Sequence, residues 1–196
     1  MVRSGLIRAL SFWAFVAFLF AYVGILSTAM FVFQFGFGEL PCPLCILQRM
    51  GMMLASMGAL YIVVRAMRGD LAIRDLAMGL GLAVLGAVAG ASMSIRQILL
   101  HIAPDDPGYG TAVLGLHLYT WALVTFVVVI VFAAVVSVFA AEMLPVAPAG
   151  PAARMIVWIV VWAFVATIAI NMVVVFAEEG FNWVLPDDPT RYELFG

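Results

Sequence analysis

Five continuous apolar runs divide the chain: 10–33, 46–64, 76–100, 118–139 and 155–176. None shows the strict alternation of a half-buried strand, so the pattern predicts helices. Each run is long enough as a helix to cross a hydrocarbon core of about 30 Å. Small residues recur within them. Gly51, Ala55 and Ala59 are spaced by four, as are Gly86 and Gly90. Such stripes let two membrane helices approach closely. Met50, Met53 and Met57 form another helical stripe, the kind that usually serves packing.

Polar segments separate the runs. Residues 34–41 form a short loop with two glycines and Glu39. Residues 65–75 set Arg65, Arg68 and Arg74 against Asp70 and Asp75. Residues 101–116 are rich in turn formers, with the stretch Asp105-Asp106-Pro107-Gly108-Tyr109-Gly110. His117, Tyr119 and Trp121 lead into the fourth run and read as an interfacial aromatic belt, as does His101 before the turn. Pro145, Pro148 and Pro151 mark 140–154 as a linker. The tail from Ala177 is acidic, with Glu178, Glu179, Asp187, Asp188 and Glu193, and Phe181 and Trp183 are expected at the interface. The first run also fits a signal peptide with Ser27-Thr28-Ala29 as a cleavage site. Its length exceeds the usual core of about 7–15 residues, which favours an uncleaved transmembrane helix.

Composition sharpens this picture. The chain is 66% hydrophobic and 10% charged, with mean hydropathy +1.18. Soluble domains are nearer half apolar and a quarter charged. The expected fold class is therefore an all-α integral membrane protein, a four-helix transmembrane bundle plus a fifth transmembrane helix. Net charge is −2, which excludes the basic surface that nucleic acid needs. Basic charge comes from nine arginines. Six of them (Arg3, Arg8, Arg65, Arg68, Arg74, Arg154) fall on the side of the N-terminus, and Arg49, Arg96 and Arg191 on the other. The positive-inside rule then makes the N-terminus cytoplasmic and puts the C-terminus outside after five crossings.

The candidate chemistry lies at 41–49, Pro-Cys-Pro-Leu-Cys-Ile-Leu-Gln-Arg, which holds the chain's two cysteines. Cys-x-x-Cys spacing allows a disulfide or a shared soft metal. A helix beginning here sets Cys45 at its N-terminus, where the dipole and free N–H groups favour a thiolate. Arg49 falls on the same face one turn deeper. Pro43 stiffens the segment between the sulfurs. The arginine rule places this pair outside, where disulfides persist. Arg96 and Gln97 lie near the end of the third run, and an ionisable residue there is either functional or a chain reaching for the interface. Three readings other than redox chemistry fit the pair. The cysteines would be small buried hydrophobes, a Cu(I) site with nearby methionines, or a structural staple, which so short a loop makes ineffective.

The run Cys42-Pro43-Leu44-Cys45-Ile46-Leu47-Gln48-Arg49 resembles the signature of the disulfide bond formation protein B (DsbB) family. Weaker likeness continues at Arg96, Gly115-Leu116 and Trp121-Ala122-Leu123, so the resemblance covers about residues 10–140. It implies a DsbB-like four-helix domain over 1–140, followed by a linker, fifth helix and periplasmic tail over 141–196. It implies a bacterial inner membrane, with the Cys-x-x-Cys pair periplasmic. It also implies a membrane thiol–disulfide oxidoreductase whose Cys42–Cys45 disulfide is regenerated by ubiquinone or menaquinone. By resemblance Cys45 faces the quinone, Cys42 exchanges with a periplasmic thioredoxin-like oxidoreductase or a protein thiol, and Arg49 and Arg96 contact the cofactor. Well-studied members carry a second cysteine pair in the second outer loop. Here 101–116 contains none, so the two-pair relay cannot run within this chain.

Overall fold

The computed structural model describes residues 2–182 and 186–195. Its architecture is all-α. Helix α1 (Val2–Ser27) continues as a π-helical stretch (Thr28–Gly36), followed by α2 (Pro43–Arg68), α3 (Ile73–Leu100), α4 (Leu118–Val138) and α5 (Pro151–Glu179). All five helices are long and apolar enough to cross a membrane, which makes this a multi-pass membrane protein.

The helices run further than the apolar pattern predicts, and local chemistry explains why. Helix α2 begins at Pro43, whose missing N–H costs nothing in a first turn. It continues through Arg65 and Arg68, cations suited to the negative end of a helix, and stops at Gly69 in the left-handed conformation (φ +81°). The expected polar loop 65–75 therefore shrinks to four residues, 69–72. Arg65 pairs there with Asp70 at 2.7 Å and Asp75 at 3.2 Å. Likewise α5 starts on Pro151, inside the expected linker, and includes Glu178 and Glu179 of the expected tail. The expected loop at 34–41 is helical through Gly36. Phe181 is exposed and meets Phe176 edge-on at 5.6 Å. Trp183 lies outside the described residues, as does the side chain of Arg3.

Helices α2 and α3 form the tightest antiparallel pair, and the small-residue stripes are the contact. A Cβ on Gly51 would sit 2.7 Å from Gly90 Cα, one on Gly86 2.4 Å from Ala55 N, and one on Gly58 2.2 Å from Gly79 O. Gly86→Ala should therefore lower the unfolding temperature in detergent, because the backbone it meets cannot yield; such overpacking costs about 1–3 kcal/mol. Gly81→Ala, with nothing within 4 Å, should not. Equal unfolding temperatures for the two variants would contradict the close approach.

Helix α5 packs along α1 and touches α2. One core joins Phe12, Phe15, Leu19, Ile62, Leu76 and Phe164, and a second joins Tyr22, Leu26, Met53, Ala87 and Phe126. Arg8 donates to Leu144 O at 2.9 Å and Arg154 to Met67 O at 3.0 Å, gathering these basic residues at one end of the bundle. The cysteines lie at the other end, together with the C-terminal turn of α5.

Candidate active site

Cys42 caps α2 and Cys45 stands in its first turn. The Cys42 Sγ accepts the Cys45 N–H at 3.2 Å, and the two sulfurs face each other at 2.7 Å. The two thiols are thus in contact, the juxtaposition that disulfide formation requires. Cys42 is buried, whereas Cys45 is half-buried and borders a cavity. The Cys42 thiol is raised above its ordinary range, first by its hydrogen bond with Cys45 and then by burial.

A glutamine from α3 reaches both sulfurs. Gln97 Nε2 lies 3.3 Å from Cys42 Sγ and 3.5 Å from Cys45 Sγ. Its orientation is fixed by Gln48 of α2, which donates to Gln97 Oε1 at 2.6 Å. Both amides are buried. Arg96 does not join them. It is exposed and, like Gln97, does not line the cavity. One residue along a helix turns the side chain by about 100°, which separates Arg96 from Gln97.

Arg49 does lie one turn below Cys45. Its guanidinium donates to Gln34 Oε1 at 2.8 Å and Ala29 O at 3.2 Å. Both acceptors belong to the π-helical stretch, a wide turn of the kind that recurs at functional sites. The amide nitrogen of Gln34 donates in turn to Glu178 Oε2 at 3.2 Å and Tyr192 Oη at 3.3 Å.

Cys45 and Arg49 open onto one cavity of about 870 Å³. Its walls come from α1 and the π-helical stretch, from the loop 37–41, from 109–114 and from the start of α4. Phe15 and Phe132 close the gap between α1 and α4 further down, edge-to-face at 5.5 Å. The lining is mostly apolar (Ile25, Val32, Phe33, Phe37, Val113, Leu118), with Cys45, Gln48 and Arg49 contributed by α2 and further polar groups from Thr28, Glu39, Tyr109 and Thr125. Apolar walls with a few convergent polar groups are the usual form of a small-molecule site.

The segment 109–111 closes over the segment 37–41. Tyr109 Oη donates to Leu40 O at 2.6 Å, and Thr111 bonds Glu39 through backbone and hydroxyl. Burial raises the Tyr109 hydroxyl above its ordinary range, so it stays a donor. His101 pairs with Asp106 at 3.0 Å, and both histidines stack on Tyr119. The Gly108 N–H, and then His101, hold the Asp106 carboxyl below its usual range. Neither histidine lines the cavity.

The methionine stripe does not gather at the sulfurs. Met50 and Met57 are exposed, and Met53 packs in the core. Among the described residues no group of three or more His, Cys, Asp or Glu is arranged to hold a metal ion.

The family model "Disulfide bond formation protein DsbB" matches residues 11–111, which hold the cysteine pair, Arg49 and Gln97. The match stops short of the 140 expected, so α4 and α5 lie beyond it. Disulfide bond formation protein B of Chromobacterium violaceum is 41% identical over 86 residues, 44% of this chain and 49% of that protein. The chain thus matches about half the length of that curated relative. No solved structure matches. With its helical membrane bundle and its Cys-x-x-Cys at the head of α2, the chain belongs to the DsbB family.

Proposed function

We propose that this chain is a quinone-linked protein thiol–disulfide oxidoreductase, acting through the single pair Cys42 and Cys45. The observation that carries the reading is the shared cavity. Cys45 Sγ and the Arg49 guanidinium border the same apolar space, and Cys42 is in contact with Cys45. We read the N-terminus as cytoplasmic and the pair as periplasmic in a bacterial inner membrane, from the arginine distribution. Residues 1–140 supply the redox core and 141–196 add the fifth helix.

The chain's own groups divide the work as follows. A partner thiolate attacks Cys42 Sγ, breaks the Cys42–Cys45 bond and leaves Cys45 as a thiolate. The partner's second thiol then attacks the mixed disulfide and releases reduced Cys42. Ubiquinone or menaquinone bound in the cavity would take up the two electrons and two protons that leave when the dithiol closes again. Arg49 would hold a quinone oxygen and balance the negative charge that develops on it. Gln97, held by Gln48, donates to whichever sulfur is anionic. The apolar walls seat the isoprenoid chain and connect it to lipid.

The missing second cysteine pair makes Cys42 the point of attack. Because Cys42 is only 5% exposed, the segment 37–42 must open first, and the Tyr109–Leu40 and Thr111–Glu39 bonds hold it closed. The partner is a thioredoxin-like oxidoreductase or a substrate thiol.

Occupancy of the cavity is testable apart from turnover. A redox-inert quinone analogue should slow alkylation of Cys45 in the reduced protein about tenfold when present at ten times its dissociation constant. Widening the side chain of Val32 or Leu118 into the cavity should weaken that protection. Alkylation indifferent to saturating analogue would contradict the site.

A further inference from the structure

Glu178 stands where a carboxylate is least welcome. It is 0% exposed. It occupies the last turn of α5, whose negative pole disfavours an anion. One oxygen accepts from Gln34, while the other, Oε1, has no hydrogen-bond partner among the described residues. A buried charge survives only beside an opposite charge. The charge on offer is Arg49, itself buried in α2 and joined to Glu178 through one side chain. Gln34 accepts from Arg49 at its oxygen and donates to Glu178 at its nitrogen, so its amide has one orientation that satisfies both.

The surrounding fold keeps this arrangement in place. The tail turns back on α5, with the Glu193 N–H on Glu178 O and the Leu194 N–H on Ala177 O. Tyr192 from that tail touches the same Gln34 amide. The titratable groups around Glu178 are Arg49 and Cys45 of α2, Tyr109 of the segment between α3 and α4, Tyr192 of the tail and Glu179 of its own helix. Glu193 engages Arg191 instead.

We propose that Glu178 is a positioning residue: the countercharge of Arg49, delivered by α5 through Gln34, that fixes the guanidinium and sets the electrostatic potential at the cysteine pair. This gives the fifth helix, which lies beyond the family match, a role in the redox site. It deepens the reading of Cys42 and Cys45 as a reactive pair and rests on it.

The test is the pH dependence of alkylation of Cys45 in the reduced, full-length protein, with a small neutral reagent and peptide mapping. Glu178→Gln keeps the shape and the acceptor but removes the negative charge. Its alkylation curve should move to lower pH by at least about half a unit, roughly a threefold rate increase on the rising limb. Glu178→Asp should restore most of the wild-type curve. Superimposable curves for wild type and Glu178→Gln would overturn the proposal. If Glu178→Gln does not fold, Arg49→Gln/Glu178→Gln decides. Recovery of folded protein in the double variant supports the charge pair, and equal failure overturns it. No quinone enters this assay, so a failure of quinone chemistry remains separate from a failure of the countercharge.

Discussion

Cys45→Ser should accumulate a covalent complex that disappears on reduction, and Cys42→Ser should accumulate far less. The asymmetry follows from placement. Cys42 caps the helix beside the loop 37–41, and Cys45 faces the cavity. With Cys45 replaced, Cys42 still attacks an oxidised partner, but nothing within the chain resolves the product. Both variants should lose all quinone-dependent thiol oxidation, because a two-electron dithiol couple needs both sulfurs. Loosening the outer loops with Tyr109→Phe should speed trapping, since Cys42 is buried until segment 37–42 moves. Mass spectrometry of the trapped species identifies the partner. Equal trapping by both cysteine variants would refute the division of labour.

Arg49→Ala should have the next largest effect, through two routes. The first is catalytic. Losing a preorganised donor at the site of developing charge typically costs about 10²–10³ in rate. The second is structural. The substitution leaves Gln34 Oε1 and Ala29 O without their donor. Leaving a buried acceptor unpaired costs about 1–3 kcal/mol, so the unfolding temperature in detergent should fall together with the rate. Arg49→Lys should lie between. An ammonium keeps the charge but lacks the planar fork that reaches Gln34, Ala29 and the cavity at once. Quinone reduction at the wild-type rate in Arg49→Ala would remove Arg49 from the site.

These predictions rest on residues that were unequally legible. Cys42, Cys45 and Arg49 lie within eight residues, and helical spacing alone puts Cys45 and Arg49 on one face. The five spans were legible because each is a long apolar run, and the α2–α3 contact because glycine and alanine recur every four residues. Helix ends were less so. Capping by Cys42, Pro43, Gly69 and Pro151 extends α2 and α5 into segments whose polarity suggests loops. The supporting polar shell was the least legible. Gln34 and Glu178 are 144 positions apart, and Gln97 is 55 from Cys42. No local spacing connects them. A signal did exist, since a lone Gln or Glu at the margin of an apolar run must find a partner inside the bundle. That rule pointed to the end of α3 but favoured the charged Arg96. The helical turn gives the inward position to Gln97 and leaves Arg96 exposed.

The central claim is that a quinone in this cavity takes electrons from this pair, and one titration tests it most directly. Reduced, purified protein in lipid nanodiscs is mixed with a short-chain ubiquinone or menaquinone, while quinone absorbance and free thiols are followed together. One quinone should be consumed for each Cys42–Cys45 disulfide formed, with Cys42→Ser and Cys45→Ser inert. Thiols that stay reduced in the presence of excess quinone, in protein whose fold is intact, would contradict it.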